Sequence, residues 1–352
     1  MYRASITENT LETWVNLPDS LFKAFDTFTK IYDLNWLAFP PLTLTPMIKS
    51  RERKCRFCEP NNNQKFKNQA HIVPEFFGRN QIISYEECDE CNKLFSIYEN
   101  SLASYLLGIH SSSAVRGKKK IPTYKSIFHD FRIETKENVV NFKGDYSENL
   151  IFDQDERKLT SKIQVPPYNP MHIYKTFAKI IIGLIQEEEL KQYTILKELL
   201  QSPTAGFISR SGINPYTNLV QFTIPGPKMN GLFVLVGRLK NSQANLDKPN
   251  LTLLMQTNNI SFQTFFPSDT EIERRNRNVN KDINLIFCPP MVDIAHLNVY
   301  GSPKGSLLNL GRNLLVKDEN QTVTMQLENI KGVHFKMSRK NDLGSINQYG
   351  KK

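Results

Sequence analysis

Residues 55–92 read CRFCEPNNNQKFKNQAHIVPEFFGRNQIISYEECDECN and carry two pairs of cysteines at identical spacing. Cys55 and Cys58 form the first CxxC pair, Cys88 and Cys91 form the second, and 29 residues separate the pairs. A two-residue spacer lets both thiolates of a pair reach one ion, and four thiolates suit tetrahedral zinc. Four unrelated buried cysteines would not explain the repeated spacing. We therefore predict a structural zinc site, because four cysteines leave no coordination position for water or substrate.

The segment between the pairs contains QAHIVPEFFG at residues 69–78, and Asn92 directly follows the last cysteine. Here the chain resembles the zinc-containing branch of the HNH endonuclease family, over about residues 53–107. That branch has a first CxxC pair, a strand with His-Ile-x-Pro, a glycine turn and a CxxCN or CxxCH helix start. The resemblance implies a ββα-metal fold in which His71 is the general base and Asn92 supplies a ligand to a catalytic Mg²⁺ or Mn²⁺. The competing interpretations are a structural histidine on a strand for His71 and a helix N-cap for Asn92.

Two positions depart from the family pattern. Many HNH proteins carry Asp, Glu or His directly before the catalytic histidine as a metal ligand, where this chain has Ala70. Four carboxylates are near enough in sequence to compensate, and spacing does not choose between them: Glu75, Glu86, Glu87 and Asp89. The middle asparagine, which braces the loop holding the histidine, is also not found after Asn80. Either Glu86 fills that bracing role or the loop is held in another way.

Basic residues outside this segment suggest a polyanionic partner. The formal net charge is +10, and lysine and arginine release counterions when they bind phosphates. Four basic residues downstream form a candidate phosphate-gripping loop, with a solvated surface loop as the alternative: Arg116, Lys118, Lys119 and Lys120. A second cluster is interpreted as an exposed linker in preference to a nucleic-acid loop: Arg274, Arg275 and Arg277. We expect DNA as the partner, and RNA is not excluded.

The rest of the chain predicts an α+β protein with several segments. They are a helical segment at 1–50, the HNH module at 51–107, a connector with a basic loop and amphipathic helices at 108–215, a β-rich domain at 216–340 and a polar tail at 341–352. No secretory signal or membrane span is apparent, so we expect a cytoplasmic protein. Cys288 is predicted to be a buried thiol on a core strand. No P-loop, dinucleotide or kinase motif is present.

These patterns favour a metal-dependent HNH endonuclease that hydrolyses DNA phosphodiester bonds. The alternative is a catalytically degenerate module that holds zinc and nucleic acid without cutting, which Ala70 and the missing asparagine keep open. The resemblance further implies a role in bacterial restriction or anti-phage defence. The C-terminal domain is long enough to recognise a target, to sense a small-molecule or protein activator, or to build a homo-oligomer.

Overall fold

The computed structural model gives the chain a mixed α and β architecture. It describes residues 19–38, 53–59, 64–78, 80–117, 120–126, 131–136, 139–144, 150–153, 158–202, 207, 211–226, 229, 231–240, 246–277 and 283–326. The helices of these ranges are α1 (Asp19–Ile31), α2 (Asp89–Ser112), α3 (Pro170–Leu184), α4 (Glu187–Leu190), α5 (Thr194–Gln201), α6 (Asp269–Arg277) and α7 (Ile294–Tyr300). Two 3₁₀ turns lie at Glu75–Phe77 and Asn214–Tyr216. No helix in the described ranges combines the length and the apolar content needed to cross a bilayer.

Antiparallel pairing organises the strands into four sheets. The strands are β1 (Tyr32–Ala38), β2 (Ala70–His71), β3 (Ile83–Ser84), β4 (Tyr124–Lys125), β5 (Phe131–Lys136), β6 (Val139–Gly144), β7 (Leu150–Asp153), β8 (Lys158–Gln164), β9 (Asn218–Thr223), β10 (Leu232–Leu239), β11 (Leu251–Thr257), β12 (Ile260–Phe266), β13 (Lys304–Asn309) and β14 (Asn320–Gln326). The largest sheet has six strands in the order β1-β10-β11-β12-β9-β13. Smaller sheets have the orders β14-β8-β7, β4-β5-β6 and β2-β3.

Within the β-rich domain, runs of β-branched and aromatic residues predict strands at 219–224, 231–239, 251–256, 260–266, 283–288, 322–327 and 333–337. The six-stranded sheet confirms the first four, and β14 confirms the one at 322–327 to within two residues. The strand predicted at 283–288 is wrong, because that segment pairs with no strand in the described ranges. The side chain of Gln263 holds the segment instead. Its amide nitrogen donates to the Ile286 carbonyl, and its amide oxygen accepts from the Cys288 N–H. Cys288 is buried as predicted, but not on a strand. The predicted strand 333–337 lies outside the described residues.

The N-terminal segment contributes both a helix and a strand. The predicted helix is present as α1, whose Phe25 and Phe28 are buried against the large sheet. The helical prediction for residues 1–50 was too broad, because the chain continues directly into β1. Tyr32 at the start of β1 pairs with Leu239 of β10, more than 200 residues away along the chain. Such long-range pairing leaves no mark in local periodicity.

Helix α3 is buried on nearly every side. Sequence periodicity predicts an amphipathic helix with one apolar face, yet its only residues that are not fully buried are His172 and Leu184. Pro170 opens the helix at a position that needs no N–H, and the Asn169 side chain caps it by accepting from the N–H of Met171. Two lysines, Lys175 and Lys179, are therefore inside the protein. The amphipathic interpretation of this helix was wrong.

The predicted segment boundaries at residues 50, 107, 215 and 340 stay predictions. Side chains from both sides of 107 and 215 nevertheless pack together in one hydrophobic cluster. The arginine cluster does not form the predicted linker or loop, because Arg274, Arg275 and Arg277 lie in the last turn of α6. This helix starts with a Ser268–Glu271 capping interaction, in which the Glu271 carboxylate accepts from the Ser268 N–H at 2.6 Å.

Candidate metal and catalytic site

A short hairpin followed by a helix brings the motif residues together. Strands β2 and β3 pair through Ala70 with Ser84 and through His71 with Ile83. The Ile72 N–H extends the hairpin by donating to the Ile82 carbonyl at 2.8 Å. Helix α2 begins five residues after β3. The local order is thus strand, strand, helix, with His71 at the end of the first strand and Cys88 and Cys91 at the start of the helix.

The four predicted zinc cysteines converge. The sulfurs of Cys55, Cys58, Cys88 and Cys91 all lie within 4.8 Å of one another. Cys55 Sγ is 3.7 Å from Cys91 Sγ, and Cys58 Sγ is 3.9 Å from Cys88 Sγ. A tetrahedral zinc with Zn–S bonds of about 2.3 Å requires sulfurs roughly 3.8 Å apart, so the donors fit such an ion. This group could hold a metal ion, as the spacing predicts.

Hydrogen bonds to the sulfurs orient the cysteines. Cys88 is the N-cap of α2, and its sulfur accepts from the Cys91 N–H at 3.5 Å. Two glutamine side chains, which the sequence analysis missed, also donate to sulfur: Gln64 to Cys58 at 3.2 Å and Gln201 to Cys91 at 3.5 Å. Gln201 ends α5, so it ties a distant helix to the cluster. A hydrogen bond with Cys91 lowers the pKa of the Cys55 thiol to about 5, which favours a thiolate there.

His71 presents a partly exposed imidazole beside a carboxylate. Its side chain is 17% exposed, and Nε2 lies 3.6 Å from Oε2 of Glu75, whose side chain is 20% exposed. Nδ1 is buried and has no hydrogen-bond partner among the described residues. The ring is therefore partly open to solvent. Its Nε2 edge faces Glu75, which lies in the 3₁₀ turn that follows the strand.

Asn80 braces the loop that follows His71. Its amide nitrogen donates to the carbonyls of Val73 and Gly78, each at 3.1 Å, and its amide oxygen accepts from the Ile82 N–H at 3.1 Å. Gly78 has a φ of 128°, a conformation that disfavours any side chain, so the loop depends on glycine here as well. Of the two alternatives left by the sequence, the second therefore holds: the loop is braced in another way than by Glu86, through the side chain of Asn80.

We expect Asn80→Ala to lower the free energy of unfolding by about 1–3 kcal/mol, because three backbone groups of a partly buried loop lose their partners. Chemical denaturation with matched m-values measures this. The neighbouring Gln81 is exposed, and Gln81→Ala should stay within about 0.5 kcal/mol of the parent. Equal stability of the Asn80 variant and the parent would contradict the bracing role.

The structure assigns different surroundings to the four carboxylates that spacing left open. Glu86 pairs with Arg56 at 2.9 Å. Asp89 accepts from the backbone N–H groups of Asn68 at 2.9 Å and Lys67 at 3.3 Å, which lowers the pKa of its carboxyl. Glu87 is fully buried, and burial raises the pKa of its carboxyl to about 7. Only Glu75 stands beside the His71 ring.

A buried lysine from α3 reaches the same strand. Lys179 donates through Nζ to the backbone carbonyl of His71. The same Nζ is 3.1 Å from Oε1 of Glu99 on α2 and 3.5 Å from Oε2 of Glu87. The sequence analysis missed this residue, although two lysines four positions apart in an otherwise apolar helix were a signal that could have found it.

Asn92 lies in helix α2 and not at its cap. Asn92 is not the predicted alternative, an N-cap, because Cys88 occupies that position and Asn92 lies inside the first turns of α2, partly buried.

Arg116 and Lys120 are exposed, and the Gly117 N–H donates to the Lys120 carbonyl at 3.2 Å. A Cβ added to Gly117 would be 3.7 Å from Phe76 Cα and 4.0 Å from the Glu75 carbonyl oxygen. Arg116, Gly117 and Lys120 are the described residues of this basic turn, and Gly117 places it against the backbone of Glu75 and Phe76. Lys118 and Lys119 lie outside the described residues.

Comparisons of the chain with protein-family models, with curated proteins and with solved structures find no match.

Proposed function

We propose that the protein is a metal-dependent endonuclease of the HNH type that hydrolyses phosphodiester bonds of DNA, with His71 as general base. The observation that carries the proposal is the placement of His71. It ends the first strand of a two-stranded hairpin, beside an asparagine-braced loop and ahead of a helix whose start holds two of four converging cysteines. This is the arrangement that the resemblance to the HNH family implies.

The His71 imidazole would take a proton from the attacking water. A positioned histidine does this efficiently near neutral pH. Because Nδ1 is buried, the role falls to Nε2, which is on the side of Glu75. The Glu75 carboxylate at 3.6 Å stabilises the positive charge that proton uptake creates on the ring.

Two ions are proposed. The four cysteines would hold zinc in a structural role, joining the segment before the hairpin to the start of α2. Among the described residues, no other group of three or more His, Cys, Asp or Glu side chains converges on one point. A catalytic Mg²⁺ or Mn²⁺ would therefore bind through few protein oxygens, with Glu75 and Asn92 proposed, which suits Mg²⁺ because it keeps water and substrate phosphate as ligands. When bound, such an ion supplies Lewis-acid stabilisation of the phosphate and the leaving oxygen.

The basic turn supports DNA as substrate. Arg116 and Lys120 are exposed, and Gly117 between them lies beside the backbone of Glu75 and Phe76. We propose that these two cations contact the phosphates of DNA bound near His71. We expect the Arg116→Ala/Lys120→Ala double variant to bind a short DNA duplex more weakly and to lose about 2 from the slope of log K against log salt. Titration by fluorescence anisotropy at several salt concentrations measures both. Arg274→Ala/Arg275→Ala is the matched control, and an equal loss in both double variants would remove the basic turn from the interface.

The second candidate is a binding module that does not cut. It is favoured by Ala70, which is buried at 2% exposure and offers no ligand, and by the small number of converging acidic groups. Incubation of the purified protein with plasmid DNA in Mg²⁺, in Mn²⁺ and in EDTA separates the two candidates. Cleavage that requires the divalent ion and His71 supports the nuclease. Salt-sensitive binding without cleavage in any of these conditions supports the binding module instead.

A further inference from the structure

We infer that Lys179 is a positioning residue for His71, supplied by a helix outside the HNH-like segment. Lys179 contacts the backbone of His71 and not its ring: Nζ donates to the carbonyl oxygen of the histidine itself. A bond at this atom fixes the strand end from which the imidazole projects. The inference deepens the proposed function, because positioning matters for catalysis only if His71 is the base.

Helix α3 packs so closely on the hairpin that the contact requires a glycine at position 183. A Cβ added to Gly183 would lie 2.7 Å from Cγ2 of Ile72, so only glycine lets the helix pack this tightly on the residue after His71. Lys179 is one helical turn earlier and faces the same strand. Two successive turns of α3 therefore contact two successive residues of the hairpin, Ile72 through packing and His71 through a hydrogen bond.

The lysine is placed by charge as well as by packing. Its side chain is 1% exposed, and two carboxylates surround its Nζ: Glu99, 25% exposed, and Glu87, fully buried. Both oxygens of Glu87 lack a hydrogen-bond partner among the described residues, so its contact with Lys179 is purely an ion pair. The two carboxylates fix the position of the Lys179 ammonium between them. An ammonium has three N–H donors, and one of them is directed at the His71 carbonyl.

Lys175 offers a matched control on the same helix. It is 3% exposed, and its Nζ contacts Tyr98 and the Ser202 carbonyl but not the hairpin. Lys175→Met thus removes a buried lysine from α3 without touching His71. Because Lys179→Met alone leaves Glu87 buried without its cation, the informative variant is the double change Lys179→Met/Glu87→Gln, which removes both charges at nearly constant shape.

The experiment compares the parent, the double variant and Lys175→Met at saturating protein. Single-turnover cleavage of a DNA duplex should be about 100-fold slower in the double variant and within about threefold of the parent in Lys175→Met, because small displacements of a catalytic group have effects of this size. DNA affinity and zinc content should match the parent in both. Hydrogen–deuterium exchange of the Ile72 amide should increase in the double variant only.

Each outcome decides the inference. Parent-like cleavage and parent-like exchange in the double variant would overturn it, and so would equal losses in Lys175→Met, which would indicate a general defect of α3. If the parent does not cleave DNA, the proposed function fails while the exchange measurement still decides whether Lys179 holds the His71 strand. Faster Ile72 exchange confined to the double variant supports the positioning role in that case too.

Discussion

Cys88→Ala is expected to reduce zinc from about one ion per chain to near zero and to lower stability by several kcal/mol. Cys88 contributes in two ways, since its sulfur lies 3.9 Å from that of Cys58 in the converging group and also caps α2 by accepting from the Cys91 N–H. A structural zinc contributes roughly 10–16 kcal/mol to the folding of an isolated zinc finger. The loss here should be smaller, because the packing of Phe57 on Phe95, whose ring centroids are 4.9 Å apart, does not depend on the metal.

Cys288→Ala provides the control for this experiment. Cys288 is equally buried but does not belong to the cluster of four cysteines, and its thiol is hydrogen-bonded to the Pro289 carbonyl. Its replacement should leave the zinc content unchanged in a colorimetric or mass-spectrometric assay. Thermal unfolding with and without a chelator should then separate parent and Cys288→Ala, which respond to chelation, from Cys88→Ala, which does not. A parent protein that carries no metal after purification and reconstitution would refute the zinc assignment.

His71→Ala is expected to slow DNA cleavage by about 10²–10⁴-fold, the range for loss of a positioned general base. The side chain is partly exposed and its Nδ1 has no partner among the described residues, so little packing or hydrogen bonding is lost with it. Zinc content, thermal stability and DNA affinity should therefore stay close to those of the parent. Single-turnover cleavage assays in Mg²⁺ and Mn²⁺ measure the effect.

His296→Ala is the matched histidine variant. His296 lies in α7, where Nε2 contacts the Pro225 carbonyl at 2.6 Å and the ring lies beside Tyr300. Its loss should leave the cleavage rate within about threefold of the parent, since it has no place in the proposed chemistry. Cleavage that survives in His71→Ala at the parent rate would show that another group, or a contaminating nuclease, performs the reaction.

The sequence predicted those features that are written in local spacing. The two CxxC pairs are such a feature, because a short spacer places both sulfurs on one side of a turn, and the four atoms do converge. The strands β9 to β12 are another, because runs of β-branched and aromatic residues bounded by turns indicate strands. Asn80 also has a local signal, since it lies nine residues after His71 in the turn between the two strands of the hairpin.

Other features depend on contacts between distant parts of the chain. Lysine is nearly always exposed, so a helix with Lys175 and Lys179 was predicted to have a solvent face, and only the partners on α2 and the hairpin explain their burial. Likewise, the apolar run at 283–288 has the composition of a strand but not its partners. Two of its backbone groups are instead bonded by the side chain of Gln263 and a third by the Asp247 carbonyl, contacts that no periodicity reveals.

Phe77 anchors the 3₁₀ turn after His71 to the rest of the protein. Phe77 is buried against Phe177 of α3 and Phe262 of β12, and its carbonyl accepts from the Thr257 hydroxyl at 2.6 Å. The hairpin and helix are consequently not a portable cassette that could be cut from this chain and fused to another. An engineer who wished to transplant the site would have to carry the β11–β12 corner and α3 along with it, or redesign the surface they cover.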